Sequence, residues 1–189
     1  MPLPLTEDDY QRAAQTLGCE VAAVKAVAEV ESGPHGAFLS SGDPVILFER
    51  HKFHQFTGGK YDQTHPGISN RTPGGYGAVS QQHSRLQEAA ALDPDAALMS
   101  CSWGRFQVMA FHWKNLGYPS LKDFVDGMYV SEANHLDSFV RYIEKTGLAK
   151  HLKTKNWAGL ALGYNGKNYK INKYDEKLAA AYKKHRGTG

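Results

Sequence analysis

An α+β protein dominated by helix is what this sequence predicts. Three observations carry that expectation. Apolar residues in the N-terminal third recur at helical spacing, one short β-prone run (Val45-Ile46-Leu47-Phe48) interrupts them, and the chain from Tyr76 onward reads as helical segments divided by short stops. The 189 residues suit one domain, or one domain of two lobes, and can bury a core without disulfide staples.

Thr6 and Asp9 have the spacing of a capping box and open a helix over 7–17, which Leu17-Gly18 stops. A second helix follows. At about 100° per residue, Leu17, Val21, Val24, Val27, Ala28 and Glu31 share a face, while Glu29 points away beside Lys25 as a surface pair would. Gly33-Pro34 should end this helix. A turn-rich stretch carrying His35 and Asp43 leads to the β-prone run, which closes on Glu49-Arg50-His51-Lys52, and a short helix is expected over 50–56. Residues 58–77 hold Gly58-Gly59, Pro66-Gly67 and Pro73-Gly74-Gly75, a loop long enough to be functional or mobile. Helices are then expected over 78–92, 94–101, 105–116, 120–129, 131–146, 156–163 and 174–186; Asp93-Pro94 is a start signal for the second of these.

Glu31 is the anomaly in this pattern. A carboxyl on an apolar face at a helix C-terminus feels both desolvation and the negative end of the helix dipole, and both raise its pKa. A carboxyl that keeps its proton near neutral pH is what a general acid needs. Periodicity alone also permits a Glu31 that swings to solvent or pairs with an arginine.

Net charge is +3, and no Lys/Arg cluster repeats along a face, so nucleic acid is not an expected partner. The basic residues gather at 167–173 and 183–186, as a solvated helix end would have them or as attraction to an anionic polymer would require. The two cysteines, Cys19 and Cys101, make neither a disulfide framework nor a zinc pattern. The N-terminus lacks the basic start and apolar run of a signal peptide, and no stretch reaches the length of a membrane span. A protein first held in a cytoplasm, with no stable membrane insertion and no separate domain within 1–189, is expected.

Three short motifs stand in order: Glu31-Ser32-Gly33, then Ser102-Trp103-Gly104-Arg105-Phe106-Gln107-Val108-Met109, then Ala161-Leu162-Gly163-Tyr164-Asn165-Gly166. With Leu47-Phe48-Glu49-Arg50-His51-Lys52-Phe53 they resemble the lysozyme-like superfamily, and in particular the N-acetylmuramidase domain of phage and prophage endolysins, over essentially the whole chain. The resemblance implies a two-lobed lysozyme-like fold whose small β region flanks the cleft. It implies cleavage of the β-1,4 bond between N-acetylmuramic acid and N-acetylglucosamine in peptidoglycan. It further implies a monomer without cofactor or metal, held in the host cytoplasm until released onto the bacterial wall. Many members of the family carry a separate wall-binding module, for which no room is expected within these 189 residues. Residue by residue, Glu31 matches the catalytic acid and Ser32 the residue beside it, Gln107 the cleft glutamine, and Tyr164 with Asn165 the pair that closes the cleft. In the same motifs Gly104 would let sugar approach the backbone, Ser102 would hydrogen-bond it, and Trp103 would either stack on a sugar ring or belong to the core.

A hydrolase of this kind usually needs a second carboxylate. Glu49, at the end of the β-prone run, is the first candidate, and a salt bridge to Arg50, Arg71 or Arg105 is its structural alternative; Asp43 is the second candidate. Ser40 stands where the Glu–Asp–Thr triad of phage-type lysozymes would have its aspartate, so that mechanism does not carry over. Carboxyls roughly 6.5–9.5 Å apart go with inversion and about 5–5.5 Å with retention; with no second carboxylate, a lytic transglycosylase is the alternative. A zinc amidase or peptidase would draw ligands from His51 and His54 with His35, His65 or His83, but His-Glu-x-x-His is absent. A non-catalytic wall-binding module would show aromatic repeats and no buried acid, the opposite of this chain.

Overall fold

In the computed structural model, residues 2–31 and 36–187 are described. Helix α1 (Glu7–Leu17) begins with the expected capping box: the Thr6 amide donates to Asp9 Oδ2 at 2.8 Å and the Asp9 amide to Thr6 Oγ1 at 3.3 Å. Gly18, at φ 62°, ends it. Helix α2 (Val21–Glu31) follows, and Glu31 is its last residue. The Gly33-Pro34 stop, Ser32 and His35 lie outside the described residues. The buried face of α2 is broader than the stripe in the sequence, taking in Ala23 and Ala26, because α1 and the C-terminal helix α10 (Tyr174–Arg186) both pack against it. Glu29 accordingly pairs not with Lys25 but with Lys184 and His185 of α10, at 2.9 and 2.8 Å, while Lys25 reaches Glu7 at 2.7 Å. Part of the basic C-terminus thus ties α10 to α2.

Strand β1 (Ile46–Phe48) lies where expected, followed by α3 (Arg50–Thr57). The 58–77 stretch is not a free loop throughout: Ile68 and Ser69 are buried, and His54 Nδ1 lies 2.7 Å from Asp62. Helices α4 (Gln82–Ala90) and α5 (Pro94–Met99) come next, the latter capped by Asp93 with Pro94 at its first position.

The expectation of a helix over 105–116 is wrong. Strand β2 (Cys101–Trp103) and strand β3 (Val108–Met109) occupy this region, with one short 3-10 turn over Ala110–His112. The antiparallel order is β1-β2-β3, with Leu47 opposite Ser102 opposite Met109, and Ile46 opposite Trp103 opposite Val108. Gly104 and Gln107, at φ 67° and 50°, take the chain through the tight connection between β2 and β3, a conformation no helix tolerates. Pairing with β1, distant in sequence, therefore overrides local helix propensity. Helices α6 (Leu121–Val130), α7 (Glu132–Lys145), α8 (Ala149–Lys153) and α9 (Trp157–Asn165) complete the chain; α8 is a helix that spacing does not indicate. Among the described residues no helix is long and apolar enough to cross a membrane.

Candidate active site

A cleft of about 360 Å³ opens where the sheet meets the helices. Opposed residues in an antiparallel sheet share a face. The row Leu47–Ser102–Met109 lines the cleft, and the neighbouring row carries Ile46 and Trp103 into the core, while its third member, Val108, is buried at the cleft wall. The helices contribute Glu31 from α2, Tyr142 from α7, Tyr164 and Asn165 from α9 and Tyr174 from α10.

Burial pushes the Glu31 carboxyl up to about 7, opposed by a hydrogen bond that Asn165 Nδ2 donates to Oε1 at 3.3 Å. No cationic side chain among the described residues lies within ion-pair distance of it. The phenol of Tyr164 donates to the Phe106 carbonyl, and burial, the charge of Glu31 and that of Tyr142 hold its pKa well above the usual range. Burial followed by the charge of Glu31 raises the pKa of Tyr174 as well.

Glu49 lines the same cleft, directly after β1. None of the three arginines that the sequence offers pairs with it; its neighbour is His51, with Nε2 at 3.3 Å from Oε2. Asp43 is on the turn before β1, where its carboxylate accepts from Ser41 Oγ at 2.7 Å, and it is not part of the cleft lining.

Gln107 lines the cleft, but its amide is engaged internally. Its Oε1 accepts from Ser102 Oγ at 2.8 Å, and its Nε2 donates to the Gly104 carbonyl at 2.8 Å and the Val45 carbonyl at 3.2 Å. These bonds hold Gln107 itself in its left-handed conformation. One lone pair of Oε1 remains for a ligand.

Two expected contacts are corrected. Trp103 is 1% exposed, with its ring 6.1 Å from that of Tyr129, so it belongs to the core and does not reach a sugar. Gly104 is buried outside the cleft lining, and what approaches it is the His135 ring: a Cβ there would stand 2.6 Å from Nδ1. Ser32 lies outside the described residues.

Leu47, Phe106, Val108 and Met109 line the cleft from within the sequence motifs without having been singled out there, and three more lining residues lie outside every motif: His112, Tyr142 and Tyr174. Tyr142 follows Phe139 by three positions on α7, a spacing that signals burial but not a cleft. Burial, then the charge of Lys52, lowers the pKa of His112.

Of the histidines that could serve as zinc ligands, His51 pairs with Glu49, His54 with Asp62, and His83 Nε2 lies 2.9 Å from the Pro44 carbonyl. Among the described residues no group of three or more His, Cys, Asp or Glu side chains is arranged to hold a metal.

The family model for N-acetylmuramidases matches residues 20–186. No curated protein matches the chain. The crystal structure of a Burkholderia AP3 phage endolysin superimposes with a TM-score of 0.92 at 43% sequence identity, covering 98% of this chain and 73% of that one. The chain belongs to the N-acetylmuramidase family of peptidoglycan hydrolases.

Proposed function

We propose that the protein hydrolyses the β-1,4 bond between N-acetylmuramic acid and N-acetylglucosamine in peptidoglycan, with Glu31 as general acid, and so lyses bacterial cells by opening their walls. The single observation that carries this reading is the Glu31 carboxyl at the cleft, held up to about 7 by burial with one amide as its partner. A glycosidic oxygen leaves readily only once protonated. Glu31 delivers its proton to that oxygen, the C–O bond breaks, and positive charge develops on the sugar ring. Asn165 holds the carboxyl through one oxygen. Tyr164, latched to the Phe106 carbonyl, keeps the end of α9 in place. Glu49 is the second carboxylate: it takes the proton of the attacking water, and His51 orients it. Ser102 and Gln107 fix one another and present the remaining amide lone pair to a donor on the sugar, while Tyr142 and Tyr174 supply the aromatic faces that Trp103 does not.

Product analysis of purified peptidoglycan tests the reaction. Reducing-end N-acetylmuramic acid is expected. Anhydromuramic ends would make the enzyme a lytic transglycosylase, in which the 6-hydroxyl of the sugar attacks and no water is activated. Free peptide termini on intact glycan would overturn the reading.

Glu49→Gln separates the first two outcomes independently. Loss of water activation is expected to lower turnover about 10²-fold while substrate affinity stays near that of wild type. A variant with wild-type turnover would remove Glu49 from the chemistry and favour the transglycosylase.

A further inference from the structure

Arg105 stands between the sheet and the last turn of the helix that carries Glu31. Its Nε donates to the Ala28 carbonyl at 3.1 Å, three residues before Glu31. Its Nη1 pairs with the carboxylate of Glu132, the first residue of α7, and the two side chains are only 19% and 17% exposed. Its backbone N–H donates to His135 Nδ1 at 3.1 Å. That ring is fully buried, and its Nε2 lies 2.7 Å from the Met128 carbonyl. A carbonyl on one side and an N–H on the other leave the imidazole one arrangement: proton on Nε2, Nδ1 accepting, ring neutral. Burial, which lowers the pKa of His135, supports that form.

The next residue continues the connection. The Phe106 carbonyl accepts the Tyr164 hydroxyl, and Tyr164 is followed by Asn165, the partner of Glu31. One short segment, 104–107, therefore grips both ends of the Glu31–Asn165 contact, α2 through Arg105 and α9 through Phe106. A guanidinium can meet a carbonyl and a carboxylate at once along the two edges of its planar fork; a lysine ammonium has no such fixed geometry.

We propose that Arg105 is a positioning residue for Glu31: by joining the last turn of α2 to the first turn of α7, it sets where the carboxyl stands against Asn165 and the cleft. The proposal rests on the reading of Glu31 as the general acid. Arg105 does not line the cleft and touches no reacting atom.

The test is steady-state kinetics of Arg105→Lys and Glu132→Gln on soluble peptidoglycan fragments, well below the melting temperature of each variant, with kcat followed against pH. Misplacing a catalytic group by about 1 Å can cost about 10²-fold. Arg105→Lys is expected to lower kcat about 10- to 100-fold with KM within about twofold of wild type. The alkaline limb of the kcat profile, which reports loss of the Glu31 proton, is expected to move to lower pH as water reaches a loosened carboxyl. Glu132→Gln keeps a hydrogen-bond acceptor without the charge, so it preserves the fold more readily and should show the same two changes in smaller measure.

Unchanged kcat and an unmoved limb in variants that merely melt earlier would make Arg105 a structural residue and overturn the proposal. So would a raised KM with unchanged kcat. Glu31→Gln runs beside them as a control. If it retains activity, the general-acid reading itself falls and takes this proposal with it; if it is inactive while Arg105→Lys keeps kcat and limb, only the positioning role fails.

Discussion

Glu31→Gln is expected to slow peptidoglycan hydrolysis about 10³-fold, in the range for removing a general acid, and at the same time to stabilise the fold at alkaline pH. Burial pushes the Glu31 carboxyl up to about 7 from an ordinary value of 4.5, so the folded chain binds this proton more tightly than the unfolded chain. Below the ordinary value both states are protonated and the group does not affect folding. As pH rises past it, the unfolded chain releases the proton first and folding is progressively opposed, until the folded carboxyl also ionises above about 7. Allowing for its partial exposure at the cleft, wild type loses on the order of 2 kcal/mol between about pH 4 and pH 8, and glutamine does not. Thermal melts of the two proteins should coincide at the acid end and separate by about 4–8 °C at the alkaline end, given a chain of this size. A separation that does not change with pH would mean that Glu31 is not held protonated by burial.

The second large effect falls on stability. Gly104→Ala is expected to destabilise the protein by about 3 kcal/mol and lower Tm by about 6–12 °C. Two costs add. The position has φ 67°, where a Cβ is strained by about 1–2 kcal/mol. The new methyl would also stand 2.6 Å from His135 Nδ1, on a ring pinned at both nitrogens and therefore unable to move aside. Gly58→Ala is the control: φ is 62°, nothing lies within 4 Å, and only the conformational cost of about 1 kcal/mol is expected. Equal losses at the two sites in denaturant melts would show that the clash with His135 contributes nothing.

Helical periodicity makes Glu31 legible in the sequence, because an acid in register with Val24 and Val27 shares their inward face. The capping box at Thr6 and the Asp93-Pro94 start are legible for a related reason: each is a local device whose partners lie within a few residues. The hairpin at 101–109 is not, because its strands are short and stabilised by β1, more than fifty positions away in sequence. That error carries into the site. A motif says that Ser102, Trp103 and Gly104 belong near the cleft, but only the pleat decides which of them face it, and it turns Ser102 in and Trp103 away. Gln107 is found by its motif, while the internal use of its amide depends on the positive φ that the turn imposes. His112, Tyr142 and Tyr174 come from three separate segments, and only tertiary packing makes them neighbours.

The contact between Glu31 and Asn165 joins positions 134 residues apart. Chains are synthesised at roughly 5–20 residues per second, so the amide leaves the ribosome on the order of ten seconds after the acid. Throughout that interval the nascent chain holds a carboxyl with neither its amide partner nor the latch at Phe106, since Tyr164 arrives just ahead of Asn165. Translation stalled short of α9 therefore yields a chain without a finished cleft, and the assembled cleft marks completed folding rather than the start of synthesis.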